Sequence, residues 1–352
     1  MMTVERKIPI ANLYYLLCYV WDVLDDKDDT LVAELEGLTH VELLAKVLAV
    51  SFQRLWRRGL DRGYRTLEDD LRSPRGRIDL PRMVARQLER NGRAACRFDE
   101  LGHDVLQNQI LATTARRLLR LPKLARDVRD EIVAIDRTLA DVSTIALRAS
   151  TFTQLHLQGR LRRYRLPLHV CELIHDQLVI DEDTGDVEFR DFVEDPKKMP
   201  VLFENFVRNF YRREAPGWSV KRDDIAWTLT PLTPSAADYL PKMQTDISLR
   251  GHGRTVIIDT KFYAKALVSR YDDGAEKLRP AHLYQLTAYL RNIAARGGQD
   301  RRAAGVLLYP EIKPLPSMQY EAEGHRLTAT GVDLSRDWRT IHNRLLEIVA
   351  AA

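Results

Sequence analysis

The stretch Met243-Gln-Thr-Asp-Ile-Ser-Leu-Arg-Gly-His-Gly-Arg-Thr-Val-Ile-Ile-Asp-Thr-Lys-Phe-Tyr263 decides how this chain reads. Two runs with strand character, residues 243–250 and 254–263, flank Gly251-His252-Gly253. β-Branched residues with glycines between the runs predict a hairpin. Each run carries an acid, Asp246 on the first and Asp259 on the second. Lys261 follows Asp259 by two positions and so shares its face of the strand. The turn decides whether Asp246 joins them. A two-residue turn at His252-Gly253 pairs Gly251 with Arg254 and sets Asp246 opposite Asp259, and a four-residue loop keeps that register. A three-residue loop pairs Asp246 with Ile258 and sends it to the other face. Two-residue turns with glycine at the second position are favoured in hairpins, so the convergent register is expected.

Convergence places two carboxylates and an ammonium in one small volume. Mg²⁺ is typically held by one or two carboxylates plus substrate phosphates. Such a cation polarises a phosphoryl oxygen, and a neighbouring lysine orients the attacking water or neutralises charge developing on the phosphate. That is equipment for hydrolysing a phosphodiester. The competing reading is a hairpin with ordinary surface charges that blunt a sheet edge. Against it stands the apolar run Val256-Ile257-Ile258. It predicts a buried strand, and acids at the end of a buried strand need a partner or a metal.

Asp246, a hairpin, then Asp259-Thr260-Lys261 resembles the D…(D/E)-x-K core of the PD-(D/E)XK nuclease superfamily. More specific text surrounds it. Ile8-Pro-Ile-Ala-Asn-Leu-Tyr-Tyr-Leu-Leu-Cys-Tyr-Val-Trp21, Gly76-Arg-Ile-Asp79, Leu240-Pro-Lys-Met-Gln-Thr-Asp246, Asp259-Thr-Lys-Phe-Tyr263 and Leu283-Tyr-Gln-Leu286 are similar to the McrC family, nuclease subunits of McrBC restriction systems directed at 5-methylcytosine. These motifs run from the N-terminus into the last third of the chain. The resemblance implies catalytic roles for Asp246, Asp259, Lys261 and Gln285, and Mg²⁺ held by Asp246, Asp259 and Glu204. Glu204 enters because nucleases of the superfamily often carry an acid on the helix before the hairpin; a solvated helical glutamate is the alternative. Gln285 enters because a glutamine recurs at this place; an amide that merely caps or packs is the alternative there.

Length and composition set the frame. A chain of 352 residues suggests two domains, and 45% apolar with 30% charged residues is ordinary for a soluble globular protein. No apolar run reaches the length of a membrane span, and the first residues carry no apolar signal-peptide core. Cys18, Cys96 and Cys171 are widely spaced, which argues against a zinc site and for a reducing cytoplasm. The net charge of +4 is only a mild hint of polyanion binding.

The expected organisation is an α+β N-terminal domain of helices with a small β region, residues 1–155, followed by an α/β nuclease domain, residues 156–352. In the first domain, helices are expected at 10–21, with Asn12 as N-cap, and at 41–56, 105–121 and 125–139. Strands at 64–67, 76–80 and 93–101 enclose a short helix at 82–90. Residues 51–97 hold thirteen arginines and no lysine, against six acids. That is either a solvated surface or a grip on phosphate or carboxylate. Residues 141–158 lose periodicity and mark the boundary. Beyond it, helices are expected at 161–180, 199–213, 282–294 and 338–350, with strands at 187–192, 218–228, 243–250, 254–263, 304–309 and 318–322.

No G-x-x-x-x-G-K-[ST] is present, so this chain is not expected to bind GTP itself. The resemblance implies that GTP is bound by an McrB-like AAA+ hexamer, which the N-terminal domain engages and stimulates, and that double-stranded DNA is the substrate. A non-catalytic activator of the ring and a stand-alone repair nuclease are the alternatives. The intact Asp246, Asp259 and Lys261 set speaks against the first. The long N-terminal domain without a recognised DNA-binding motif speaks against the second.

Overall fold

The hairpin forms in the expected register. In a computed structural model that describes residues 7–26, 29–180, 187–233, 235–262, 267–268, 277–311 and 315–352, the strands Ile247–Gly251 and Arg254–Thr260 pair antiparallel. Gly251 stands opposite Arg254 and Ile247 opposite Ile258. His252 and Gly253 both have positive φ, 50° and 73°, the sign pattern of the type I′ turn whose twist suits a hairpin. The first strand is shorter than residues 243–250. Met243–Gln244 pairs instead with Asp224–Ile225, so Thr245 and Asp246 fall in a break between two short strands.

Six strands form the main sheet in the order Met318–Ala322, His325–Val332, Ala304–Pro310, Arg254–Thr260, Ile247–Gly251, Ser219–Lys221. The two contacts among its middle three strands are parallel and the rest antiparallel. This is a mixed sheet with helices against it. Ile257 and Leu307 pack with Leu286, Leu290 and Ile293 of the helix Pro280–Ala294. A Cβ on Gly305 would come within 3.0 Å of Leu286 and Leu290, so a bare α-carbon lets helix and strand approach. The helix Lys198–Glu214 also meets the central strand, and just beyond the strand the Phe262 ring lies 5.8 Å from that of Phe203.

Three expectations are corrected. The strand His325–Val332 has no counterpart in the sequence reading, because Thr, Ala and Gly dilute its alternation. Pairing on both sides, with Ala304–Pro310 and Met318–Ala322, makes it a strand. Asn12 is not an N-cap. The helix Ile10–Val20 starts after Pro9, and the buried Asn12 amide donates to the carbonyls of Leu334 (2.8 Å) and Arg336 (2.7 Å). The helix expected at 161–180 runs over Arg165–Gln177, and Leu178–Ile180 is a strand paired with Val187–Phe189.

The contacts group the chain differently from a division at residue 155. One compact unit joins Met1–Gly37 to Phe192–Ala352, and the other is Leu38–Asp191. The reason lies in Ile10–Val20. Tyr19 sets its ring 5.8 Å from Phe206 and 5.5 Å from Phe210, and its hydroxyl donates to Glu214 at 2.8 Å.

In the unit Leu38–Asp191, helices His40–Arg57, Leu106–Leu119, Arg126–Thr138 and Arg165–Gln177 accompany a three-stranded antiparallel sheet of Gly63–Leu71, Ala94–Gly102 and Arg77–Ile78. Its arginines are not all free. Arg82 pairs with Glu68 (3.1 Å) and Asp70 (3.3 Å), Arg86 with Asp70 (3.2 Å), and Arg75 with Glu100 (3.4 Å) while stacking on Phe98. Part of the arginine excess therefore serves the sheet's own acids. Cys18, Cys96 and Cys171 are buried thiols outside any disulfide. Among the described residues no helix is long and apolar enough to cross a membrane.

Candidate active site

Asp259 is the penultimate residue of the buried strand Arg254–Thr260 and is itself 0% exposed. Strand alternation puts it on the face of Ile257, toward the helix Pro280–Ala294. Lys261 Nζ comes within 2.8 Å of Asp259 Oδ2. Apart from this ion pair, neither carboxylate oxygen of Asp259 has a hydrogen-bond partner among the described residues. Burial pushes this carboxyl up to about 7. Lys261 pulls the other way, and the charges of Asp246 and Glu204 add to the rise. A fully buried carboxylate with two orphaned oxygens is costly unless something else completes it.

Asp246 reaches the same place from the break in the first strand. Its Oδ2 accepts from the backbone N–H of Thr260 (2.8 Å) and from Thr260 Oγ1 (2.9 Å). Asp246 is thereby tied to the residue between Asp259 and Lys261. The third element is the helix Pro280–Ala294. Lys261 Nζ donates to Gln285 Oε1 at 2.9 Å. Gln285 Nε2 donates to the Tyr289 hydroxyl at 2.7 Å, and that hydroxyl donates to the Gln244 carbonyl at 2.9 Å. The relay has a fixed polarity. A backbone carbonyl only accepts, so the tyrosine's single proton goes to it, and the tyrosine oxygen must take the amide N–H. The oxygen of Gln285 is left for the ammonium.

The structure therefore brings Asp246, Asp259, Lys261 and Gln285 together. Glu204 lies in the helix Lys198–Glu214, close enough to add to the rise of Asp259, but it is engaged by Arg208 (2.6 Å) and Arg222 (3.5 Å). Among the described residues no group of three His, Cys, Asp or Glu side chains is gathered for a metal ion. Asp246 and Asp259 form a pair, not a closed cage. Tyr263 of the motif lies outside the described residues.

Two participants escaped the sequence reading. Thr260 reads as the spacer of D-x-K. Tyr289 sits one helical turn after Gln285, a spacing at which side chains meet, and that was its available signal. His282, on the same helix, makes a 2.9 Å bond to the Tyr309 hydroxyl. Burial, with help from Lys261 and Arg279, lowers its imidazole to about 4, so it stays neutral beside the site.

Behind the site the hairpin is braced by a buried ionic cluster. Arg250 reaches Asp300 (3.0 Å) and Asp223, Arg296 reaches Asp223 (2.9 Å), and Thr255 donates to Asp300 (2.6 Å).

Comparison with known proteins places the fold and the family. At 97% coverage of this chain and 76% of the other, the fold superposes with a TM-score of 0.62 and 18% identity on a Thermococcus gammatolerans structure, a refined half-complex from a tetradecameric assembly of McrB AAA+ hexamers with bound McrC. At that identity the likeness speaks for the fold. In sequence the chain is 30% identical over 341 residues to the type IV methyl-directed restriction enzyme EcoKMcrBC of Escherichia coli (strain K12), covering 97% of each. Residues 5–310 match the family model described as McrBC 5-methylcytosine restriction system component. With a model match over most of its length and a relative aligned nearly end to end, the chain belongs to the McrBC 5-methylcytosine restriction system component family.

Proposed function

We propose that this chain is the DNA-cleaving subunit of a McrBC-type, modification-dependent restriction complex, with a PD-(D/E)XK nuclease site at Asp246, Asp259 and Lys261. The observation that carries the reading is Asp259, a fully buried carboxylate whose oxygens meet no described donor but the Lys261 ammonium, beside a second acid. The donor set fits Mg²⁺, which takes carboxylate oxygens and keeps positions for water and phosphate. Asp246 and Asp259 would hold it. Glu204 meets both of its arginines through Oε1. The chemistry supplied by the cation is Lewis-acid polarisation of a phosphoryl oxygen.

The chain's own groups do the rest. Lys261 directs one N–H to Gln285 and lies against Asp259, which leaves donor capacity for a phosphate oxygen as charge develops there. Gln285, held by Tyr289, accepts one hydrogen bond from the ammonium and fixes the direction of the lysine side chain.

GTP belongs to an McrB-like AAA+ partner. The relatives support an AAA+ partner: one is named a type IV methyl-directed restriction enzyme, and the other comes from an assembly of McrB AAA+ hexamers with bound McrC. The N-terminal region, residues 1–155, is the part we assign to engaging and stimulating that ring. The test is cleavage of methylated plasmid by the assembled complex with GTP and Mg²⁺, comparing wild type with Asp259→Ala. Cleavage is expected to disappear while ring assembly and the melting transition persist. Cleavage retained by the variant would leave the chain as an activator of the ring only.

A further inference from the structure

We propose that Thr260, the middle residue of Asp259-Thr260-Lys261, is a positioning residue that clamps Asp246 by one carboxylate oxygen and keeps the other for the cation. The proposal rests on the nuclease reading above and adds a residue to it.

Asp246 lies in the break between Met243–Gln244 and Ile247–Gly251, and ladder pairing stops at Ile247 opposite Ile258. The ladder therefore does not fix the backbone at this position. The bonds the Asp246 side chain makes among the described residues both come from Thr260. The backbone N–H at 2.8 Å and Oγ1 at 2.9 Å converge on the single oxygen Oδ2. Two donors on one oxygen saturate it and fix the carboxylate plane. Oδ1 accepts from no described residue. Thr260 is 9% exposed, and its own N–H is available because that of Lys261, the next residue, bonds to the Leu308 carbonyl. The neighbouring strand is thus held by Lys261 while Thr260 serves Asp246. Charge-assisted bonds of this kind are the strong ones, because the acceptor is ionised.

The consequence is a division of labour within the tripeptide. Asp259 offers orphaned oxygens, Lys261 offers a cation, and Thr260 sets where the second acid stands. A residue that only filled space would need its volume; a clamp needs its hydroxyl. Thr260→Val keeps shape and branching and removes the hydroxyl, whereas Thr260→Ser keeps the hydroxyl and removes the methyl. The two variants therefore separate packing from positioning.

The experiment measures Mn²⁺ binding to the full chain by loss of the free-ion electron paramagnetic resonance signal, and separately the cleavage of methylated DNA by the assembled complex. Thr260→Val is expected to weaken Mn²⁺ binding about tenfold, the lower end for a hydrogen bond to a charged acceptor, because the backbone N–H bond survives. Thr260→Ser is expected to bring binding back toward wild type. In an Asp246→Ala background the Thr260→Val effect is expected to vanish, since the clamp acts only through that acid. Wild-type Mn²⁺ affinity in Thr260→Val, or a larger loss in Thr260→Ser than in Thr260→Val, would overturn the proposal. So would an undiminished Thr260→Val effect in the Asp246→Ala background. If Thr260→Val does not fold, Thr260→Ala takes its place with the same outcomes. Asp259→Ala keeps the two readings apart. Cleavage surviving in Asp259→Ala strikes the nuclease reading. Cleavage lost in Asp259→Ala but unchanged in Thr260→Val strikes the clamp alone.

Discussion

Replacing Asp259 by asparagine should make the chain more stable and the site inert. The carboxyl is pushed up to about 7 in the folded chain by burial, against an ordinary value of 3.8. The native state thus holds this proton more tightly than the unfolded state does. Its stabilising contribution is complete below about pH 4 and is lost as the pH rises through about 7. Above that, keeping the charge buried costs about 4 kcal/mol, at ~1.4 kcal/mol for each pH unit between the two values. Asparagine preserves the shape without the charge. Lys261 keeps Gln285, and its attraction to the carboxylate is already contained in the raised value. The gain at pH ~8 is therefore up to about 4 kcal/mol, a rise of about 8 °C or more in the melting of a unit of this size. Scanning calorimetry without divalent cations, near pH 8 and near pH 5, reads it directly. The gap should narrow near pH 5 and close only below about pH 4, where the carboxyl is protonated in the unfolded chain as well. Mg²⁺ added near pH 8 should raise the wild type alone, since a ligand of the native state stabilises by mass action. An asparagine variant less stable than wild type near pH 8, or a difference that does not change with pH, would refute the reasoning.

Lys261→Ala is expected to keep divalent-cation binding and lose most turnover, because an ammonium stabilises charge and does not coordinate a metal; calorimetry beside a cleavage assay separates the two. Tyr289→Phe releases the polarity of the relay, so kcat should fall about tenfold with KM nearly unchanged, and a matched fall in melting temperature would mark a packing role instead. Arg250→Ala leaves Asp223 and Asp300 buried with less compensation, and should cost about 3–5 kcal/mol in chemical denaturation, the usual result of removing one partner of a buried cluster. Cut at residue 155, the N-terminal piece would carry Ile10–Val20 without the aromatic partners Phe206 and Phe210 that it packs on. The fragment 38–191 is therefore expected to fold and to raise a partner's GTPase rate, while the fragment 1–155 aggregates; light scattering and circular dichroism distinguish them.

Much of the candidate site was legible beforehand because its signals are local. Gly253 after His252 sets a two-residue turn, the turn sets the register, and the register places Asp246 near Asp259 without any knowledge of the rest of the chain. The D-T-K spacing puts Asp259 and Lys261 on one face by alternation alone. Gln285 was reached through resemblance, and its bond to Lys261 now gives that assignment a geometry. The apolar stripes of Lys198–Glu214 and Pro280–Ala294 announced helices that pack on a sheet. What the sequence concealed is what distant contacts create. Asn12 bonds to Leu334 across 322 residues, and no local pattern carries that. His325–Val332 becomes a strand because neighbours on both sides complete its hydrogen bonds, although its own alternation is weak. Glu204 looks like a free acid in the sequence and is held by Arg208 and Arg222 in the fold. The burial that raises Asp259, and the strand break that hands Asp246 to Thr260, are likewise properties of the assembled sheet. Turn chemistry and side-chain alternation act over a few residues and can be read from the chain; desolvation and ion pairing depend on which segments meet, and only the tertiary structure decides that.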